Sequence, residues 1–368
     1  VRKFSPASVL ALAVITSFVL GACQPGSYQN PANPTQQSGD RPPLSEIDWL
    51  ADPKAWVGPS TALIDSTTIT PVATNPPQNL PVTIESQELS GELQVTVNST
   101  DRILALDMSG SLAATVWALG FGDRLVGRDI STTFPGVEDL PVVTGSGHAI
   151  SPESVLALRP DLILTDGTIG PIDVVLQLRQ AGVTVVFVRA APGLDQPAAL
   201  ARLVATALGS PATGELLAAE VSAGITEVLD QIAARAPRDR ADKLRMVFLY
   251  LRGANGIYYL FGQESGAGDL IQALGGIDIA TEIGWTGLRP MTDEALIAAN
   301  PDVILVMTGG LDSVGGVAKL LEVKPALGLT PAGQQQRFVD MADSQLLSFG
   351  PRTPQVIDAL ARAIYSPE

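Results

Sequence analysis

The sequence predicts an α/β chain of two Rossmann-like lobes joined by a single long rigid α-helix. Three observations carry this. Short apolar runs alternate with helix-period stretches in two separate series along the chain. The phrase "SPESVLALRPDLIL", beginning at Ser151, recurs in the same register as "TDEALIAANPDVIL", beginning at Thr292. Between the two series lies "TGELLAAEVSAGITEVLDQIAARA" (213–236), free of proline and with apolar spacing that suits one long helix. At 368 residues the chain is also long for one hydrophobic core.

Residues 1–22 read as a signal peptide. "VRKF" is basic, "VLALAVITSFVLGA" is apolar but short for a membrane span, and "LGAC" places small residues before Cys23. This resembles the lipobox of bacterial lipoproteins and implies lipidation at Cys23, an extracytoplasmic location and anchoring to the cell membrane through lipid. Two or more acyl chains on one residue anchor stably where one does not. Residues 23–80 are rich in Pro, Ser, Thr, Asn and Gln and read as a disordered tether. Only "IDWLADPKAWVG" in that stretch is less polar, and it is a candidate for docking.

An amino-terminal lobe is expected over 81–209. It starts with "PVTIESQELSGELQVTV", alternation about a turn that suggests a β-hairpin, and continues with "RILALD", "DLILTD" and "TVVFVRA" as buried strands. The connecting helix is expected over 210–237. A carboxy-terminal lobe over 238–368 repeats the scheme with "RMVFLYL", "GIYYLFG", "DVILVM" and "QRFVDM". In the repeated phrase, Ser151 and Thr292 are candidate N-caps, and Glu153 and Glu294 fall in the first helical turn.

Composition excludes several functions. The formal charge of −15 repels phosphate backbones, so no nucleic-acid partner is expected. Cys23 is the only cysteine, so no disulfide supports the fold. The chain holds one histidine, His148, and no G-x-S-x-G elbow, which leaves a hydrolase without its parts and zinc catalysis without ligands. No enzyme is expected.

The residues that remain suggest binding. Met246, Phe248, Tyr250 and Arg252 share one face of a strand, because strand side chains alternate with period two. Tyr250 and Arg252 then project from the carboxyl end of a sheet strand, where open α/β sheets bind ligands. A tyrosine in a strand and an arginine at its end also serve as ordinary sheet packing and solvated charge. His148, in the glycine-flanked loop "GSGHAIS", is by itself compatible with a plain surface or core role.

The signal, the tether, the two lobes and the duplicated "E…PD(L/V)IL" phrase resemble the substrate-binding proteins of ABC importers that serve iron-siderophore, cobalamin and haem uptake. The resemblance covers roughly residues 95–365. It implies a ligand cleft between the lobes, an ABC permease and its ATPase as partners, and a function in haem and iron uptake. It also implies docking of Glu153 and Glu294 on permease arginines, although a carboxylate in a first helical turn is stabilising in its own right. Haem-binding members from high-GC Gram-positive bacteria ligate iron with a first-lobe histidine and a second-lobe tyrosine, supported by an arginine two residues on. His148, Tyr250 and Arg252 match that pattern, with ferric haem b as the carried ligand. Iron accepts both donor types, and a cation beside a phenol favours the phenolate. Further candidates for the haem pocket are Met307, Trp285, Phe349 and Arg289, with Arg128 and Arg352 also considered for the propionates. Upstream haem-binding surface proteins are candidate partners. An iron-siderophore or a corrinoid is the alternative cargo.

Overall fold

A computed structural model describes residues 41–88, 91–253 and 257–367. The signal peptide, Cys23 and the first part of the expected tether lie outside the described residues. In chain order, β1 (Ser60–Ala62) precedes a hairpin of β2 (Val82–Glu88) and β3 (Gly91–Val97). The first lobe continues with β4 (Ile103–Leu106), α1 (Ser111–Val116), α2 (Pro152–Ala157), β5 (Leu162–Thr165), α3 (Ile172–Gln180), β6 (Thr184–Phe187) and α4 (Gln196–Ala207). Then comes α5 (Pro211–Arg235). The second lobe opens with β7 (Arg245–Arg252), β8 (Ile257–Phe261), α6 (Ala267–Ala273), β9 (Ile277–Asp278), α7 (Ile279–Glu282), β10 (Leu288–Pro290) and α8 (Asp293–Ala299). It closes with β11 (Val303–Met307), α9 (Thr308–Ser313), α10 (Gly316–Val323), α11 (Pro331–Gln334), β12 (Phe338–Met341), α12 (Asp343–Leu346) and α13 (Thr353–Tyr365).

The first lobe holds a parallel sheet in the order β4-β5-β6. The second holds a mixed sheet in the order β1-β12-β11-β7-β8-β10, with β9 beside β7. Every residue of β4, β5 and β12 is buried, as are Val303–Val306 of β11. Apart from Thr165 and Asp340 these are apolar runs of the sequence, and a sheet covered on both faces requires them. On β7 the two faces separate: Met246 and Phe248 enter one core cluster, Val247, Leu249 and Leu251 another.

Helix α5 has 25 residues and is therefore about 37 Å long. Leu217, Val221, Ile225 and Ile232 line its buried side, and Glu215, Glu220, Glu227 and Asp230 face solvent. It packs on α4 of the first lobe and α13 of the second. The approach to α4 needs Gly214, where a Cβ would stand 2.5 Å from that of Ala205. No helix among the described residues is long and apolar enough to cross a membrane.

The sequence repeat is a repeat of structure. Ser151 Oγ accepts from Ser154 N at the start of α2, and Thr292 Oγ1 accepts from Ala295 N at the start of α8. Each helix ends on a left-handed residue, Arg159 (φ 46°) and Asn300 (φ 50°), followed by Pro-Asp. Asp161 Oδ2 accepts from Arg102 N, and Asp302 Oδ2 accepts from Arg245 N. The same arginines reach back to the carbonyl ends of the helices: Arg102 donates to Leu158 O at 2.7 Å and Arg245 to Ala299 O at 3.0 Å. Cations at that end also favour the helix dipole.

The reading of 23–80 as a disordered tether fails for its described part. Residues 41–80 are packed, with Leu44, Ala62, Ile64 and Ile69 buried in the main core. Strand β1 adds to β12 in parallel. From "IDWLADPKAWVG", Trp49 stacks on Tyr365 at 4.8 Å and Leu50 N donates to Tyr365 O. Beyond β1 the segment crosses to the first lobe, where Trp117 donates to Ile69 O, Val72 N to Ala118 O and Asn79 N to Gly209 O. Periodicity missed this because the segment binds through main-chain groups and single anchors, which leave no repeating apolar pattern. The second lobe consequently draws an edge strand from outside the expected 238–368.

Candidate functional site

His148 sits in the loop closed by the Thr144–Ile150 bridge, directly before Ala149, which bridges to Gly170. Its backbone is left-handed (φ 60°), directly after Gly147 (φ 72°). The ring is half-buried, and its Nδ1 has no hydrogen-bond partner. Burial, and after it the positive charge of Arg252, holds the imidazole below its ordinary pKa, which favours its neutral form. A first-lobe histidine and a second-lobe arginine thus sense each other.

Tyr250 projects from β7 on the face of Met246 and Phe248 and meets the edge of Phe261 at 5.9 Å. The Arg252 guanidinium lies 4.6 Å from the centre of the Tyr250 ring. Its hydrogen bonds go to Leu251 O and to Asp343 Oδ2, at 3.0 and 3.2 Å. Gly309 N donates to the other oxygen of Asp343. Asp343 therefore holds Arg252 over the ring, a role the sequence reading missed. Its position directly after a parallel strand, in "DMADSQ", was the available signal.

Strand register sorts the other candidates. Val306 pairs with Leu249, so Met307 and Tyr250 come next in their strands, and half-buried Met307 faces the Tyr250 side. Trp285 donates to Leu260 O and packs in the cluster of Leu249 and Leu251, on the opposite face of β7 from Tyr250. Arg289 stacks on Trp285 at 4.9 Å and pairs with Leu260, so it too belongs to the far face. One residue earlier, exposed Leu288 pairs with Phe261 and faces the Tyr250 side. Tyr259 pairs with Tyr250 itself. Phe349 is 5% exposed and fills the main core, which leaves no face for stacking on a ligand. Arg352 is buried, which pushes its guanidinium down to about 10. Arg128 donates to Thr132 O.

In the first lobe, Asp107 and Asp166 follow β4 and β5, and Asp129 lies beside them. Asp107 accepts from Ser109, Ser111 and Leu112 at the start of α1, and its own N donates to Asp129. Burial first, then the Asp107 charge, pushes Asp129 up to about 7 and Asp166 up to about 6. Met108 and Ile130 next to these acids are exposed apolar side chains. Ile130 N donates to Thr144 Oγ1, which ties it to the His148 loop. A cavity of about 840 Å³ opens elsewhere, between Leu229, Ile232, Arg238, Lys243 and Asp269. None of His148, Tyr250 or Arg252 lines it. The Tyr250 side carries the donor groups and is the better candidate.

Glu153 and Glu294 are both exposed, at equivalent places in α2 and α8.

The profile of the periplasmic binding protein family matches residues 108–344. The crystal structure of the heme binding protein HmuT is similar at a TM-score of 0.80 and 37% identity, over 86% of this chain and 100% of that one. Three further structures of that protein carry alanine in place of a histidine, of a tyrosine, and of an arginine two residues after the tyrosine. YvrC of Bacillus subtilis (strain 168), an uncharacterized ABC transporter substrate-binding lipoprotein, is 25% identical over 288 residues, 77% of this chain and 86% of that protein. A cobalamin-binding protein of Halobacterium salinarum is 31% identical over 219 residues, 57% of this chain and 55% of that protein. With its profile reaching from the first lobe through the connecting helix to the end of the second sheet, the chain belongs to the periplasmic binding protein family.

Proposed function

We propose that this protein binds haem between its lobes and delivers it to an ABC importer. The observation that carries the reading is that Arg252, whose guanidinium lies over the Tyr250 ring, is close enough for its charge to act on His148 of the other lobe. It is supported by the likeness to a haem-binding protein in which the same three residue types, tyrosine and arginine at the same spacing, were substituted. A neutral imidazole and a phenolate oxygen are both axial donors for haem iron, and the hard anionic oxygen favours the ferric state. Arg252, held by Asp343, supplies positive charge at the phenol. Met108 and Ile130 on one side and Met307 and Leu288 on the other offer apolar surface to the macrocycle. Glu153 and Glu294 dock on the permease, and Cys23 carries the lipid that keeps the protein at the outer face of the cell membrane.

The second reading is a corrinoid, favoured by the cobalamin-binding relative. Titration of residues 41–368 with haemin and with cobalamin, followed by visible spectra, separates the two. The expected result is saturable haemin binding with bands that change in His148→Ala and again in Tyr250→Ala. Spectra indifferent to both substitutions, or tighter binding of cobalamin, would remove haem as the cargo.

A further inference from the structure

The two glutamate-bearing helices match in more than their acids. On α2, Leu156 lies one turn after Glu153 and is 43% exposed. On α8, Ile297 lies one turn after Glu294 and is 38% exposed. Residues three apart are neighbours on a helix surface, about 5–6 Å between Cβ atoms. The intervening Val155 and Leu296 are buried, so both helices present the same face. A single exposed aliphatic residue carries no information. The same acid–aliphatic pair at equivalent places of a structural repeat does, because caps, arginine clamps and Pro-Asp ends orient both helices alike.

We infer that Leu156 and Ile297 are contact residues of the importer-docking surface. Each glutamate and its aliphatic neighbour form one two-part knob, which fits a socket with a cationic group and an apolar wall. The occupant is the outward face of an ABC permease with two equivalent sockets. Opposite charge selects a basic rim, and the duplication of the knob selects a partner built from two like halves. This rests on the docking reading of Glu153 and Glu294, and adds affinity from apolar burial that salt does not screen.

The test uses the haemin-loaded protein and its own permease–ATPase complex, purified from the source cell and reconstituted in nanodiscs. Binding and stimulated ATP hydrolysis are measured for Leu156→Ser, Ile297→Ser, their double variant, and the Glu153→Ala/Glu294→Ala pair. Leu216→Ser is the control: Leu216 is 59% exposed, but on α5. Unchanged haemin spectra check that each variant folds. The expected result is binding about 3–10-fold weaker for each single serine variant, a larger loss for the double variant, and no change for Leu216→Ser. A double variant that binds like the native protein while the glutamate pair fails overturns the apolar contacts and leaves the docking reading intact. Native-like binding by the glutamate pair overturns the docking reading, and the inference with it. An equal loss in Leu216→Ser also overturns it, by showing general surface stickiness.

Discussion

At the scale of single residues, the acids of the first lobe set an unusual pH dependence. Asp129 is fully buried beside Asp107 and ionises near 7, against 3.8 for an unperturbed aspartate. A carboxyl raised in the folded state contributes stability that is present below about pH 4 and lost as pH rises toward 7. Asp166 adds to this in the same direction, over a window that ends near 6. Asp129→Asn removes the buried charge and is expected to raise stability at pH 8 by about 1–3 kcal/mol, with the gain vanishing toward pH 4. Urea unfolding at several pH values checks this, and a gain independent of pH would count against the burial argument. His148 has the opposite sign: depressed in the fold, its contribution holds above about 6.5 and is lost on acidification. Each of these residues stands in the sequence as an isolated letter. That Asp107 neighbours Asp129, and that the Arg252 charge reaches His148, follows only from strands and loops meeting in space.

At the scale of elements, the least legible part is the segment before the first hairpin. Strand β1 covers the edge of β12, while at the other edge β10 is three residues long and includes Pro290, both protections against edge-to-edge pairing. A chain starting at Pro81 would bare the β12 edge and uncover Leu44, Ile64 and Ile69 contacts worth on the order of 5 kcal/mol. The expected outcome is a melting temperature lower by about 10 °C than that of a chain starting at Arg41, with self-association at high concentration. Calorimetry and light scattering on the two chains decide it. The central elements were readable in advance because burial on both faces demands unbroken Val, Ile and Leu. The side of a strand was readable too, as at Tyr250 and Arg252. Which neighbours share that side was not: Trp285 and Arg289 belong to the far face, and Leu288, one residue away, to the near one.

At the scale of the whole molecule, two chain segments among the described residues strap the lobes together, beside direct contacts such as Thr133 Oγ1 with Ser344 Oγ at 3.0 Å. One is α5, packed on α4 and α13. The other is the 41–80 segment, paired with β12 in the second lobe and bonded to Ala118 and Gly209 in the first. Two separated straps resist hinging more than one does, so ligand capture is expected to proceed with little closure. X-ray scattering with and without haemin should show a change in radius of gyration below about 1 Å, against the larger change of hinge-type closure. A change of several ångströms would show that the straps give way.

What the sequence determined by itself is what local rules encode. Binary patterning set the strands, proline-free periodicity set the long helix, and a duplicated phrase with its caps set the two-lobed plan. The tertiary structure alone decided which of these face each other. It folded an apparently structureless segment across both lobes, placed Asp343 behind Arg252, buried Phe349, and brought His148 within the field of a residue about a hundred positions away. The reason is physical: main-chain pairing, electrostatic contact and burial depend on distance in space, and no periodicity records a distance between residues far apart in the chain.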